Sequence, residues 1–131
     1  MSQENVETIR AAMDAWNRGD YDAALKDAAP DFEFDSSRAV GPLHGVFRLD
    51  QMRRVWDEFR ESWESVRIEL DEFIEAGEYV VVPLTIYGTG RDGIELQART
   101  TWVWTIRDRM IVRVCLYQDK HEALEAAGLW E

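Results

Sequence analysis

Residues 94–119 read IELQARTTWVWTIRDRMIVRVCLYQD. Two apolar runs flank the reversal RDR at 107–109, so the stretch reads as a hairpin of long strands. Ile, Val, Thr and Trp dominate it, the residue types that suit a pleated, half-buried surface. With Trp102 taken as inward, Leu96, Ala98, Thr100, Trp104 and Ile106 share its face, and Val112, Val114, Leu116 and Gln118 follow on the last strand. Drawn straight, residues 94–107 would extend about 45 Å at roughly 3.3 Å per residue. A chain of 131 residues cannot hold such a strand flat, so the strand is expected to curl through a bulge.

Upstream, SVRIELDEFIEAG (65–77) and EYVVVPLTIYGTG (78–90) continue the strand pattern, and GRDG (90–93) supplies a further hairpin turn. Short connections make neighbouring strands antiparallel. Before residue 63 the period changes. Val6, Ile9, Met13 and Trp16 recur at three- and four-residue steps, which predicts a first helix ending at Gly19. DYDAALKDAAP (20–30) predicts a second helix, capped by Asp20 and stopped by Pro30. DFEFDS (31–36) alternates as a short strand, and RAVGPLHG (38–45) reads as loop. Leu49, Met52, Val55, Trp56, Phe59 and Trp63 fall on one face and predict a third helix over roughly 49–62. KHEALEAAGLW (120–130) predicts a closing helix, with Asp119 as its cap and Gly128 as its stop. Helices gathered before strands, with a curved antiparallel sheet wrapped around the N-terminal helices like a cone, give an α+β fold. No linker, repeat or low-complexity block divides residues 1–131, which are read as one domain.

Composition narrows the function classes. A hydrophobic share of 46% with six tryptophans is far above what disorder requires. A net charge of −11 argues against nucleic acid as partner, since phosphate binding is driven by cationic patches, and against anionic membrane surfaces. The single cysteine, Cys115, forms no internal disulfide. MSQENVETIR lacks the basic and apolar blocks of a signal peptide, and no run approaches the roughly 20 apolar residues of a membrane span. A cytoplasmic location is the expectation. GTGRDG lies in a hairpin and not between a strand and a helix, so it is no phosphate loop. Two histidines and one cysteine at scattered positions do not build a metal site, and no cofactor is expected.

WNRGDYDAALKDAAPDFEFDSS (16–37), PLHG (42–45), IEAGEYVVV (74–82), TTWVWTIRDRMIVRV (100–114) and DKHEALEAAGL (119–129), in this order and spacing, resemble the SnoaL-like branch of the nuclear transport factor two superfamily, which includes ketosteroid isomerase. The resemblance covers nearly the whole chain. It implies a cone-shaped α+β barrel of the cystatin-like, nuclear transport factor two-like kind, a pocket between the sheet and the helices, and a homodimer formed through the outer sheet face. It does not imply one reaction, because the superfamily includes isomerases, dehydratases, cyclases, epoxide hydrolases and proteins without catalysis.

Within that resemblance Asp35 occupies the place of the isomerase's proton-shuttling aspartate, at the end of the first short strand. Under an apolar roof its pKa is expected to rise, which suits a base; the alternative is a strand-end carboxylate bonded to the backbone of Ser36, Ser37 and Arg38. The isomerase's two oxyanion donors would fall near Ala12 and Trp102, and neither supplies the hydroxyl or carboxyl needed. The carboxylate, arginine and carboxylate set of the epoxide hydrolases is missing from the inward parity, with Arg99 and Arg113 on the outer one. His44, in the loop after Asp35, is the second candidate, as a titratable partner or as a loop histidine bonded to a carbonyl. Asp119 is read as a helix cap. Trp16, Trp56, Trp102 and Trp104, with Thr100, Leu116 and Gln118, are the expected pocket wall and ligand contacts.

Two functions of different class follow. One is cofactor-free proton transfer, of isomerase, cyclase or dehydratase type, on a small and largely apolar carbonyl compound, with Asp35 and His44 as the catalytic pair. The other is a non-catalytic homodimer that binds a small hydrophobic molecule or serves as a structural module.

Overall fold

The computed structural model describes residues 2–39 and 44–129. The loop residues 40–43 and the end of the tail segment, residues 130 and 131, lie outside them. Helix α1 (Ser2–Asn17) turns Ile9, Ala12, Met13 and Trp16 into the core, as their spacing demands. Gly19, at φ +80°, closes its end by donating to the Trp16 carbonyl at 2.9 Å. Asp20 then accepts from the Ala23 amide at 3.1 Å and starts α2 (Tyr21–Ala24).

The second helix is shorter than its apolar pattern predicts. Ala28 and Pro30 belong instead to strand β1 (Ala28–Asp35), so Pro30 does not stop a helix. A proline is tolerated there because the ladder to the neighbouring strand slips register between Ala28 and Glu33, where a backbone donor is not required. After β2 (Val46–Arg48) and a single 3₁₀ turn (Leu49–Gln51), helix α3 (Met52–Glu61) buries Met52 and Val55. Trp63 is not the last residue of its apolar stripe but the first of strand β3 (Trp63–Leu70). Its ring packs where a side chain at Gly88 would stand, since a Cβ there would come within 2.6 Å of it.

Strands β4 (Ile74–Ala76), β5 (Tyr79–Gly90), β6 (Glu95–Arg107) and β7 (Met110–Tyr117) complete one open sheet. Its order is β2-β1-β7-β6-β5-β3, with β4 beside β5. The expected reversals are both present: Gly93 sits at φ +88° in the first, and Asp108 and Arg109 at φ +53° and +67° in the second. The expected bulge is a register shift between Thr105 and Ile106 in the β6·β7 ladder. One pairing departs from the antiparallel expectation, because β1 runs parallel to β7. The long connection between those two strands allows it, where a tight turn would not.

The inner sheet face, α1 and α3 share one hydrophobic core, so the chain has the expected cone-shaped α+β architecture, with a mixed sheet. Asn17 fastens the end of α1 to β3: its amide donates to the Ile68 carbonyl and accepts from the Ile68 amide, each at 2.9 Å. A second, smaller core lies on the outer face. There α4 (Lys120–Ala126), capped by Asp119 through the Glu122 amide at 2.8 Å, lays Ala123 over Val81, Val103, Cys115 and Tyr117. Part of the surface expected to pair with a second copy is thus covered by the chain's own last helix. Among the described residues, no helix is long and apolar enough to cross a membrane.

Candidate functional site

Between the helices and the inner sheet face lies a cavity of about 90 Å³. Its floor is β-sheet: Trp102 and Trp104 from β6, Val114 and Leu116 from β7, and Phe32 and Phe34 from β1. Strand alternation puts each pair on one face. Its walls are helical, with Ala12, Met13 and Trp16 from α1 and Trp56 and Phe59 from α3. The rings pack edge to face or tilted, as their quadrupoles prefer: Trp16 to Trp56 at 6.4 Å, Phe34 to Trp102 at 6.1 Å, Trp102 to Trp104 at 6.4 Å. Among the described residues lining the cavity there is no Asp, Glu, His, Lys, Arg, Cys or Tyr. The indole Nε1 atoms of Trp16, Trp102 and Trp104 are buried without a hydrogen-bond partner. The described side chains that line the cavity therefore offer ring faces and aliphatic surface, and no acid or base.

Five of the seven expected wall residues are there: Trp16, Trp56, Trp102, Trp104 and Leu116. Thr100 and Gln118 are not. Thr100 lies one pair further along β6 and donates its hydroxyl to the Tyr117 carbonyl at 2.6 Å, while Gln118, past the end of β7, donates to the Arg38 carbonyl at 2.6 Å. Phe32, Phe34, Phe59 and Ile86 also line the cavity. The alternation of DFEFDS and the stripe of α3 carried the signal for the first three.

Asp35 stands elsewhere, and its expected setting is corrected. Opposite in parity to Phe32 and Phe34, it faces the outer side of the sheet, 8% exposed. Oδ1 accepts from the Ser37 hydroxyl at 2.6 Å and the Ser37 amide at 3.0 Å, and Oδ2 accepts from Arg113 Nη2 at 2.6 Å. Burial pushes the carboxyl up, but the Ser37 bonds and the Arg113 and Arg38 charges outweigh it, and the net shift is downward. A lowered carboxylate is a poor base, the reverse of the raised one expected. Arg113 also holds Glu33 through Nε at 3.1 Å, so the arginine assigned to the outer face is the one that occupies the acid.

His44 is exposed, and its Nδ1 lies 3.0 Å from the Ala39 carbonyl. A carbonyl only accepts, so Nδ1 carries the proton and is committed to the backbone. Its partner is Ala39 and not Asp35, and the two candidates do not form an acid and base pair. Beyond Asp35 on the outer face, burial pushes the Cys115 thiol up and the Tyr117 phenol up to about 12. Arg38 lies over the Tyr117 ring at 4.4 Å. No three His, Cys, Asp or Glu side chains among the described residues come together as a metal site.

The SnoaL-like domain profile matches residues 9–114, most of the chain and both walls of the cavity. The chain belongs to the SnoaL-like domain family. Solved structures similar to this SnoaL-like chain include an NTF2-like protein of unknown function from Burkholderia pseudomallei, 25% identical, with a TM-score of 0.79 over 93% of this chain and 95% of that one. TerC, crystallised with polyporic acid, is 24% identical, with a TM-score of 0.78 over 95% and 98%. A putative polyketide cyclase from Xanthomonas campestris pv. campestris is 19% identical, with a TM-score of 0.72 over 95% and 97%. No curated protein matches the chain. The likeness establishes the fold, and on this fold the chemistry must be argued from the site.

Proposed function

We propose that this SnoaL-like chain binds a small, largely apolar molecule in the cavity between α1, α3 and the inner sheet face. The observation that carries the reading is a wall of tryptophan, phenylalanine and aliphatic side chains in which, among the described residues, no ionisable group stands. Proton transfer with Asp35 as base is the less favoured reading. The carboxylate lies across the sheet from the cavity and is held by Arg113 and Ser37. A homodimer would use the part of the outer face that α4 leaves open, where Arg67, Gln97 and Arg99 are exposed; sedimentation velocity tests it.

The cavity's 90 Å³ is smaller than the ~150 Å³ engineered cavity that admits benzene. A one-ring ligand therefore enters only as the half-buried wall residues Leu25, Trp56 and Phe59 move outward. NMR titration with methylenecyclohexane tests the reading. Saturable shifts at the methyl groups of Met13, Ile86 and Leu116, abolished by the cavity-filling Ala12→Leu, are expected. Absence of saturation in the parent protein would sink the proposal.

A further inference from the structure

Strand β6 outruns one of its neighbours. Its ladder to β7 begins at Thr101, beside Tyr117, whereas its ladder to β5 continues to Glu95. Among the described residues, no strand pairs with the other side of residues 95–100. The Gly90 amide donates to the Ile94 carbonyl at 2.8 Å, so Ile94 turns its backbone toward β5. Alternation then turns the backbone N–H and C=O groups of Glu95, Gln97 and Arg99 outward along the free edge. All five residues from 95 to 99 are exposed.

An open edge is a template for another strand. The other edges of this sheet are guarded: β2 is three residues long, and at Ile68 the outward backbone of β3 is taken up by Asn17. The β6 edge has neither proline nor lysine to blunt it. It also carries the two most exposed of the large apolar side chains among the described residues, Ile94 at 64% and Leu96 at 54%.

Resting on the homodimer reading above, we infer that two copies join edge to edge, residues 94–98 of each pairing antiparallel with the same segment of the other about a two-fold axis at Leu96. This register sets Glu95 of each copy against Gln97 of the other, and each such pair exchanges two backbone hydrogen bonds. On the inner side Leu96 meets its own copy and Ile94 meets Ala98, so both exposed apolar side chains gain a cross-strand partner. On the outer side Arg99 lies diagonally across from Glu95 of the second copy, within reach of an ion pair. One acid and one base leave the strip locally neutral in a chain of net charge −11, so two identical strips meet without net repulsion. Gly93 of one copy comes level with Arg99 of the other, and its hairpin turn stops short of Thr101, where β7 closes the slot.

Cysteine substitution reads the register. Directly opposed Leu96 residues, in a pair not bonded through the backbone, stand about 4.5 Å apart at Cα, inside the roughly 4.4–6.8 Å span of a disulfide. Under mild copper-catalysed air oxidation Leu96→Cys is expected to form a covalent dimer. Ala98→Cys, which meets Ile94 and not itself, is expected to form none, and native Cys115, 1% exposed, leaves the parent protein uncrosslinked. Sedimentation velocity measures the reversible association. A contact of this size is weak, so the dimer is expected to grow in between roughly 10 and 500 µM. Gln97→Pro removes an edge donor at a position where a strand tolerates proline, and is expected to weaken dimerisation about 10-fold or more. If that variant does not fold, the two cysteine variants decide. Association indifferent to Gln97→Pro, a covalent dimer formed equally by Ala98→Cys, or none formed by Leu96→Cys would each overturn the inference. In those cases a parent protein that still dimerises leaves the homodimer reading standing on the outer face; a parent that stays monomeric throughout removes both.

Discussion

The guanidinium of Arg113 meets the carboxylate of Asp35 at 2.6 Å on the outer face of the sheet, across a parallel pair of strands. Strand parity turns the acid away from the cavity, and that contact helps to keep it ionised. Asp35→Asn is therefore expected to act on stability and not on ligand affinity. Loss of the ion pair costs roughly 1–2 kcal/mol at neutral pH, moderated by the part of Arg113 that reaches solvent. Because the folded pKa is depressed, this contribution is fully present above the unfolded carboxylate value of about 4 and fades as pH falls through the folded value. Urea unfolding of both proteins at pH 7 and in acid measures it. A gap that stays constant across the range contradicts the assignment, as does an NMR titration of Asp35 above its ordinary value.

Asn17 makes two bonds to Ile68 with a single amide, 51 residues apart in the chain. Asn17→Ala leaves a strand N–H and C=O without their partners, which costs about 1–3 kcal/mol. Chemical denaturation is expected to show the loss. A midpoint unchanged within error would mean that water replaces the amide freely.

Arg109 holds φ +67° in a two-residue turn, a conformation glycine adopts without side-chain strain. Its ion pair with Glu4, at 3.5 Å, is exposed and contributes little. Arg109→Gly is expected to stabilise the protein by roughly 0.5–1 kcal/mol. Thermal unfolding reads the sign directly.

Cys115 is 1% exposed, lies in the small core under α4, and its thiol is raised by burial. Since the thiolate is the reactive form, labelling by an aromatic disulfide reagent should be slow at neutral pH and rapid in denaturant. Fast labelling of the native protein would place α4 away from the sheet for much of the time.

Periodicity in the sequence is a property of neighbours, and what depends on neighbours was readable. The stripes of α1 and α3, the turns at 90–93 and 107–109, the Asp119 cap and the inward parity of Trp102 and Trp104 all follow from spacings of a few residues. The same alternation already set Asp35 opposite Phe32 and Phe34. The resemblance assigned Asp35 to a catalytic place that this parity does not reach.

Tertiary structure decided the rest, because it sets distances between residues the chain keeps far apart. Pro30 lies in a strand because β7 is there to pair with, and β1 runs parallel because the intervening chain returns from across the sheet. Thr100 shares the parity of Trp102, yet its place along β6 puts it past the cavity, where its hydroxyl meets Tyr117. Which side chain Asp35 meets on that outer face is a question of register between residues nearly eighty positions apart. Local spacing tells which face a side chain takes; only the packed sheet tells what that face looks onto.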